Sequence, residues 1–465
     1  MHAQTVPTED VSSSLTQGQR WSILVTACLG WLFAGFLLST TSLAMRSAAI
    51  DLLDRVGMLD RALFQAYNRA IQTARHEKHA PALTAEETAQ LLRWRAISQQ
   101  WFAYYQCAML FGAATGGFVL GRLGDRIGRS RAMACSILCY SLVSAAAYFV
   151  QSPVQLLVLW FTASLGLGGM WPTGVALLNE TWSGLSRPLV AGLIGTSANI
   201  GILALSSCAT HVGLAPDHWR WMLLVCAAPC LLGLIVLMIV PESPRWLAAQ
   251  AADPVADPAP RGSGVFRSPL LGTTLLGITL ATIPMIGAWG SANWMVPWAA
   301  EAGEVADPPN LSLQAQVSQY RSLTGIVGSL LGGWVAHLFG RRFSYALISL
   351  AALVCAQVTF WQLVPTDPTF LIWVSALGFF SGIYFGWMPL FLPELFPTRC
   401  RSTGAGVSFN FGRILTAVTI FATGLLTVLF HGDYAQIGRL TSLIFVAGLV
   451  APWFAPDTSR RPLED

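Results

Sequence analysis

Apolar runs of about 20 residues, long enough to cross a bilayer core of about 30 Å, recur along the whole chain. They lie near 21–45, 99–120, 132–150, 154–178, 188–210 and 220–240, and again near 270–298, 320–339, 343–363, 369–391, 403–429 and 437–454. The pattern predicts an all-α membrane protein of twelve transmembrane helices in two groups of six. Between the groups, Pro241 to Pro269 is polar, with the steps Asp253-Pro254, Asp257-Pro258 and Ala259-Pro260, and predicts a flexible linker. The expected organisation is a tail at 1–20, a six-helix bundle at 21–240, a linker at 241–269, a second bundle at 270–455 and a tail at 456–465. Residues 46–98 form an insert inside the first bundle.

Composition agrees with the hydropathy pattern. Of 465 residues 54% are hydrophobic and 11% charged, with mean hydropathy +0.56, whereas soluble domains carry about 25% charged residues. Too little charge is present to clothe a water-soluble surface. Lys78 is the only lysine and is followed by His79, so a phosphate-binding loop ending in Lys-Ser/Thr is absent. The nine cysteines include Cys135/Cys139 and Cys226/Cys230 at helical i, i+4 spacing, which fits core packing rather than redox chemistry. No Ser-His-Asp, Cys-His or HExxH constellation occurs, and the seven histidines are scattered. An enzyme, a metal site and a bound cofactor are not expected.

Arginine bias orients the spans. With the N-terminus inside, the inner segments hold 15 arginines, and the short outer loops hold Arg220, Arg321 and Arg439, three in all. Both termini are therefore expected in the cytoplasm, in a multi-pass protein of the cell (inner) membrane. The net charge of +4 follows this topology and forms no block for nucleic acid. The insert 46–98 lies outside; Ile50, Leu53, Val56, Leu59 and Leu63 keep 3–4 spacing, and Thr84-Ala-Glu-Glu87 reads as a capping box before a second helix. A solvated hairpin resting on the outer mouth and a gate or docking cap are the two readings of this segment.

The second half echoes the first. Asn179-Glu180 is followed by Arg187 and Gly192, and Pro393-Glu394 by Arg401 and Gly406, with a seven-residue step from Glu to Arg in both. Gly121-Arg-Leu-Gly-Asp-Arg-Ile-Gly-Arg129 has a faded copy at Ala336-His337-Leu-Phe-Gly-Arg341-Arg342. A repeat of six spans is the build of alternating-access carriers. Together with Pro241-Glu242-Ser-Pro-Arg245-Trp246 and Pro393-Glu-Leu-Phe-Pro-Thr-Arg399, these motifs resemble the major facilitator superfamily, in its sugar-porter and metabolite:proton symporter branches. The resemblance covers all of the chain except 46–98.

It implies a switch built from the loops. Asp125 would dock on the start of the eleventh span at Thr403 when the inner gate closes, with Gly121 and Gly128 allowing close approach. Arg126 and Arg129 would pair with Glu180 or Glu242, and Arg341 or Arg342 with Glu394. The alternative is a set of positive-inside loops with no switching role. His337 stands where Asp125 stands in the first repeat, either as a helix-end residue or as a pH-sensitive contact.

Away from the span ends, Arg413 is the one intramembrane charge that stands out, about 15 Å into the eleventh span at 1.5 Å per residue. It reads as the anchor of an anionic substrate, or as a structural arginine satisfied by carbonyls or by Asn410. The family resemblance places the cavity along spans one, four, seven and ten, which supply Trp31, Trp171, Trp289, Asn293, Trp294, Tyr384 and Trp387; Gln106 and Asn199 come from neighbouring spans. Where metabolite:proton relatives carry aspartates in span one, this chain has Phe33-Ala34-Gly35-Phe36-Leu37. Facilitated diffusion and coupling through a proton nearer the surface therefore both stay open. The expectation is a monomeric secondary-active or facilitative carrier of a small polar metabolite, an organic anion ahead of a sugar. A non-transporting ligand sensor on the same scaffold is the rival.

Overall fold

The computed structural model describes residues 15–76, 83–181, 187–252, 263–306, 308–396, 401–426 and 433–456. Among them every regular element is helical. The first half comprises α1 (Gln17–Leu43), α2 (Met45–Arg55), α3 (Arg61–His76), α4 (Ala85–Ile127), α5 (Arg129–Ala147), α6 (Pro153–Thr181), α7 (Arg187–Val212), α8 (Trp221–Ala227), α9 (Cys230–Ile239) and α10 (Pro244–Ala252). The second half comprises α11 (Leu271–Met285), α12 (Met295–Glu304), α13 (Leu313–Leu338), α14 (Arg341–Gln362), α15 (Phe370–Glu394), α16 (Arg401–Leu426), α17 (Tyr434–Ser442) and α18 (Ile444–Val450). Ten helical segments are long and apolar enough to cross a membrane. α7 and α13, each of 26 residues, are the two further helices that a count of twelve spans requires.

The molecule is apolar outside and carries small polar groups within. Phe149, Leu231, Met238, Ile239, Trp361, Ile372 and Phe454 are exposed on the outward faces, an arrangement that lipid tolerates and water does not. Buried Ser and Thr hydroxyls return their hydrogen bonds to carbonyls one turn back, as Thr41 does to Leu37 at 2.9 Å and Ser141 to Ile137 at 2.8 Å. Small residues of this kind let helices approach closely while meeting their own hydroxyls locally.

The insert differs from the expected hairpin. Thr84 and Glu87 do form a reciprocal capping box, but the helix that it starts continues for 43 residues into the second span. The 3–4 spacing also breaks: α2 ends at Arg55, Gly57 has φ 72°, and Val56 and Leu63 are exposed. Ile50, Leu53 and Leu59 instead pack with Phe64, Leu91 and Trp94 in a small core of their own. The linker is likewise not bare coil throughout, since it opens with α10, whose Trp246 Nε1 donates to the Asp125 carbonyl at 3.0 Å.

Span seven is interrupted. A π-helical turn over 286–291 and a 3-10 turn over 292–294 separate α11 from α12. Such wide turns re-aim side chains inside a helix, and here they turn Asn293 and Trp294 fully inward.

Candidate functional site

At the arginine-rich end the polar contacts among the described residues lie within each half. Gly128 closes α4 at φ 108°, a backbone region that disfavours any side chain. The turn brings the Glu242 carboxylate onto the start of α5, where it accepts from the Arg129 and Ser130 amides at 2.7 and 3.0 Å. A carboxylate there complements the partial positive charge of the helix start. The Arg129 guanidinium pairs with Asp125 and reaches Glu180 at 3.4 Å. In the second half Gly340 has φ 77°, and the following Arg341 forks Glu394 at 2.9 and 3.1 Å. Asp125 has a side chain 57% exposed and, among the described residues, no partner in the second half. Gly121 lies beside Pro172, Arg126 is exposed, and Thr403 and Arg342 are half-buried. The side chains of Arg187, Arg245, His337 and Arg401, and the whole of Arg399, lie outside the described residues.

At the opposite end, which carries the insert, contacts cross between the halves. Arg46, buried on α2, binds Glu304 at 2.8 Å, and Arg95 on α4 binds Glu301 at 2.9 Å. Burial acts against the Arg46 charge, but Glu304, Tyr434 and Glu301 outweigh it and hold the guanidinium above its ordinary range. Ser206 donates to Ser318 at 2.8 Å and Gln319 to Ser207 at 3.1 Å, joining α7 to α13. Nearer the arginine-rich end the same two helices part around a cleft of about 220 Å³, lined by Gly192, Leu193, Ser329, Gly333 and Gly386. Among the described residues the halves are thus joined by ion pairs at the insert end, and a cleft lies between them towards the arginine-rich end.

Between the ends lie two clusters. In the first, Trp31 of α1 meets Trp171 of α6 with ring centroids 5.2 Å apart. Trp171 stacks on Phe409 of α16 at 6.2 Å and 18°, and the Arg413 guanidinium lies 4.7 Å over the Phe409 ring. Arg413 is 8% exposed. Its Nη1 donates to Asn410 at 3.2 Å and to the Ala113 carbonyl of α4 at 3.3 Å. Among the described residues its Nη2 and Nε have no hydrogen bond, so one edge of the fork remains available.

The second cluster lies towards the insert end, around Asn293. Its amide donates to Gln106 at 2.8 Å, and its carbonyl accepts from Ser42 at 2.7 Å and from Arg321 Nη2 at 3.4 Å. Arg321 was expected in an outer loop. It stands eight residues inside α13 instead, because that helix starts at Leu313. Arg413 is therefore not the one cation set within a long helix at the centre of the bundle. Arg321 Nη1 and Gln106 Nε2 are buried with no hydrogen-bond partner, a condition costing about 1–3 kcal/mol per group.

Other candidates fall elsewhere. Tyr384 bonds Ser349 and stacks on Phe445, and Trp387 packs on Tyr345 and Phe391. Both belong to the packing of the second half with α14 and α18, not to the space between the halves. Trp294 packs on Phe102 at 5.4 Å at the insert end. Trp289 is half-buried. Asn199 donates to Ser329 at 3.3 Å across the α7–α13 seam. Sequence reasoning did not single out Arg46, Arg95, Glu301, Glu304 or Phe409. For Phe409 a signal existed, since it lies one helical turn before Arg413.

The fold has counterparts among known proteins. Residues 78–420 match the Major Facilitator Superfamily. The chain is 28% identical over 360 residues to a cis,cis-muconate transport protein of Acinetobacter baylyi, covering 76% of this chain and 84% of the relative. It is 27% identical over 372 residues to a probable 4-methylmuconolactone transporter of Cupriavidus pinatubonensis, covering 76% and 81%. In fold it is similar to a crystallised D-xylose-proton symporter, with TM-score 0.65 at 16% identity over 95% of this chain and 99% of that one. With the motif loops, the twofold repeat and this match over most of its length, the chain belongs to the Major Facilitator Superfamily and is a multi-pass membrane carrier of small molecules, not an enzyme.

Proposed function

We propose that this carrier moves a small unsaturated or aromatic organic anion across the cytoplasmic (inner) membrane by alternating access. The observation that supports this most is the run Trp31–Trp171–Phe409 ending under Arg413. It crosses from the first half to the second at mid-depth. Aromatic faces suit a planar carbon skeleton, and a guanidinium with a free edge suits its carboxylate. Relatives named for cis,cis-muconate, 4-methylmuconolactone and niacin carry ligands of that kind. A sugar would call for several hydroxyl-binding amides around one point, whereas the amides Asn199, Asn293 and Asn410 already hold protein partners.

In this reading the halves at 21–240 and 270–455 rock about the central cleft, and a monomer suffices. The arginine-rich end and both chain termini face the cytoplasm, so the conformation described faces inward. Asp125, Arg129, Glu180, Glu242, Arg341 and Glu394 form the inner latch, Asp125 docking near Thr403 in the opposite state.

Uptake of cis,cis-muconate and nicotinate into proteoliposomes tests the proposal. Arg413→Ala should lower uptake at least about a hundredfold, the scale of losing a charge-assisted bidentate contact, while the protein elutes and melts as wild type. Uptake at the wild-type level in that variant overturns the anion reading. Binding without counterflow in the wild type would mark a sensor instead. Uptake that follows an imposed proton gradient identifies symport, and uptake indifferent to it facilitation.

A further inference from the structure

The fold buries two donors, Arg321 Nη1 and Gln106 Nε2, and leaves both unmet. At Asn293, Arg321 reaches the carbonyl through Nη2 alone, at 3.4 Å and shared with Ser42, and the Gln106 carbonyl accepts from the Asn293 amide, so Arg321 Nη1 and Gln106 Nε2 are left without acceptors. Among the described residues no carboxylate pairs with Arg321. What is missing is an acceptor with two oxygens, one for Arg321 Nη1 and one for Gln106 Nε2. The cluster draws on α1 and α4 from the first half and on span seven and α13 from the second, so it roofs the space between the halves just below the insert end.

Its position relative to Arg413 is fixed by α4. Gln106 and Ala113 are seven residues apart, hence on one face of that helix and about 10 Å apart along it. Gln106 belongs to the upper cluster, and the Ala113 carbonyl holds Arg413. Two guanidiniums thus stand at two levels of a single face, with the aromatic run Trp31–Trp171–Phe409 at the lower one.

We infer that Arg321 and Gln106 form a second carboxylate subsite, and that the preferred substrate is a short dicarboxylate bridging from Arg321 to Arg413. This rests on the organic-anion reading above and adds the number of charges and the place of the second one. A monocarboxylate would occupy the Arg413 level alone. Asn293 is a positioning residue, holding the Gln106 amide and the Arg321 fork in place.

Binding of cis,cis-muconate, a six-carbon dienedioate, and of nicotinate, a ring monocarboxylate, to purified full-length protein separates the possibilities. Arg321→Gln should weaken cis,cis-muconate binding at least tenfold and leave nicotinate within about threefold, whereas Arg413→Ala should weaken both. Gln106→Leu, which removes one donor and strands no charge, should weaken cis,cis-muconate alone, and it stands in if Arg321→Gln does not fold. Unchanged cis,cis-muconate affinity in these variants, or equal loss of both ligands, overturns the subsite. Wild-type protein that binds nicotinate but not cis,cis-muconate overturns the inference and keeps the anion reading. Binding of neither overturns both.

Discussion

The two ends of this molecule use the same chemistry to different effect. At the insert end, arginines of the first half reach carboxylates of the second, Arg46 to Glu304 and Arg95 to Glu301. At the arginine-rich end the ion pairs seen among the described residues are internal to a half, Arg129 to Asp125 and Glu180, and Arg341 to Glu394. An internal pair stiffens a half whichever way the halves rock. A pair that crosses exists in one state only, and therefore biases the equilibrium between states by its own free energy. Breaking the first kind should cost stability, and breaking the second should shift populations.

Substitutions can sharpen that contrast. The largest stability effect is expected at Gly128. A Cβ there would lie 2.1 Å from Glu242 Oε2 on a backbone with φ 108°. Gly128→Ala should then cost about 3 kcal/mol, from the strained backbone and the displaced carboxylate cap together. A thermal unfolding midpoint unchanged from wild type would show that the cap carries little. Glu304→Gln should leave the melting temperature nearly in place and move the equilibrium towards opening at the insert end. A cysteine placed at Gln319, in a background without native cysteines, should then react about tenfold faster with an impermeant maleimide, equivalent to about 1.4 kcal/mol. No change in labelling would demote the crossing pairs to ornament.

The same reporter checks the effect of pH. Arg46 is held above its ordinary range, so its contribution is complete below the unfolded value and lost only as pH climbs through the still higher folded one. Raising pH from 7 to 10 should speed labelling of Glu304→Gln and of its parent alike, as the thiolate fraction grows, and leave the ratio of the two rates where it was. The smallest stability effect belongs to Asp125, whose exposed pair with Arg129 is worth about 0–1 kcal/mol. Asp125→Asn should barely move the melting temperature but slow uptake several-fold if Asp125 docks near Thr403 in the opposite state, as proposed above. Equal uptake would count against a latch there.

Much of this architecture could be read from the chain. Runs of apolar residues mark the spans because hydrocarbon tolerates little else, and the Gly128 and Gly340 turns follow from a repeated Gly-Arg step. The site was less legible. Arg413 stood out because it sits deep in an apolar run, but Arg321 lies beside Gln316, Ser318, Gln319 and Ser322, and a helix with that polar a start looks like a loop. Tyr384 and Trp387 share a span with cavity-facing positions, and only packing shows that they turn towards Tyr345 and Phe445. The break in span seven has no unique sequence mark, since Pro284 and Pro297 lie outside the residues that unwind. Contacts such as Arg46–Glu304 join residues 258 positions apart, a pairing that local pattern does not encode.

The uninterrupted run of α4 has a practical side. A rod of 43 residues, about 65 Å at 1.5 Å per residue, protrudes well past the hydrocarbon layer and has no joint at the point where it leaves it. Torque applied to the protruding tip would be passed along the helix towards the centre of the protein, and an antibody fragment or a neighbouring polypeptide that clasps residues 85–95 would hold a handle on the transport cycle from the insert end.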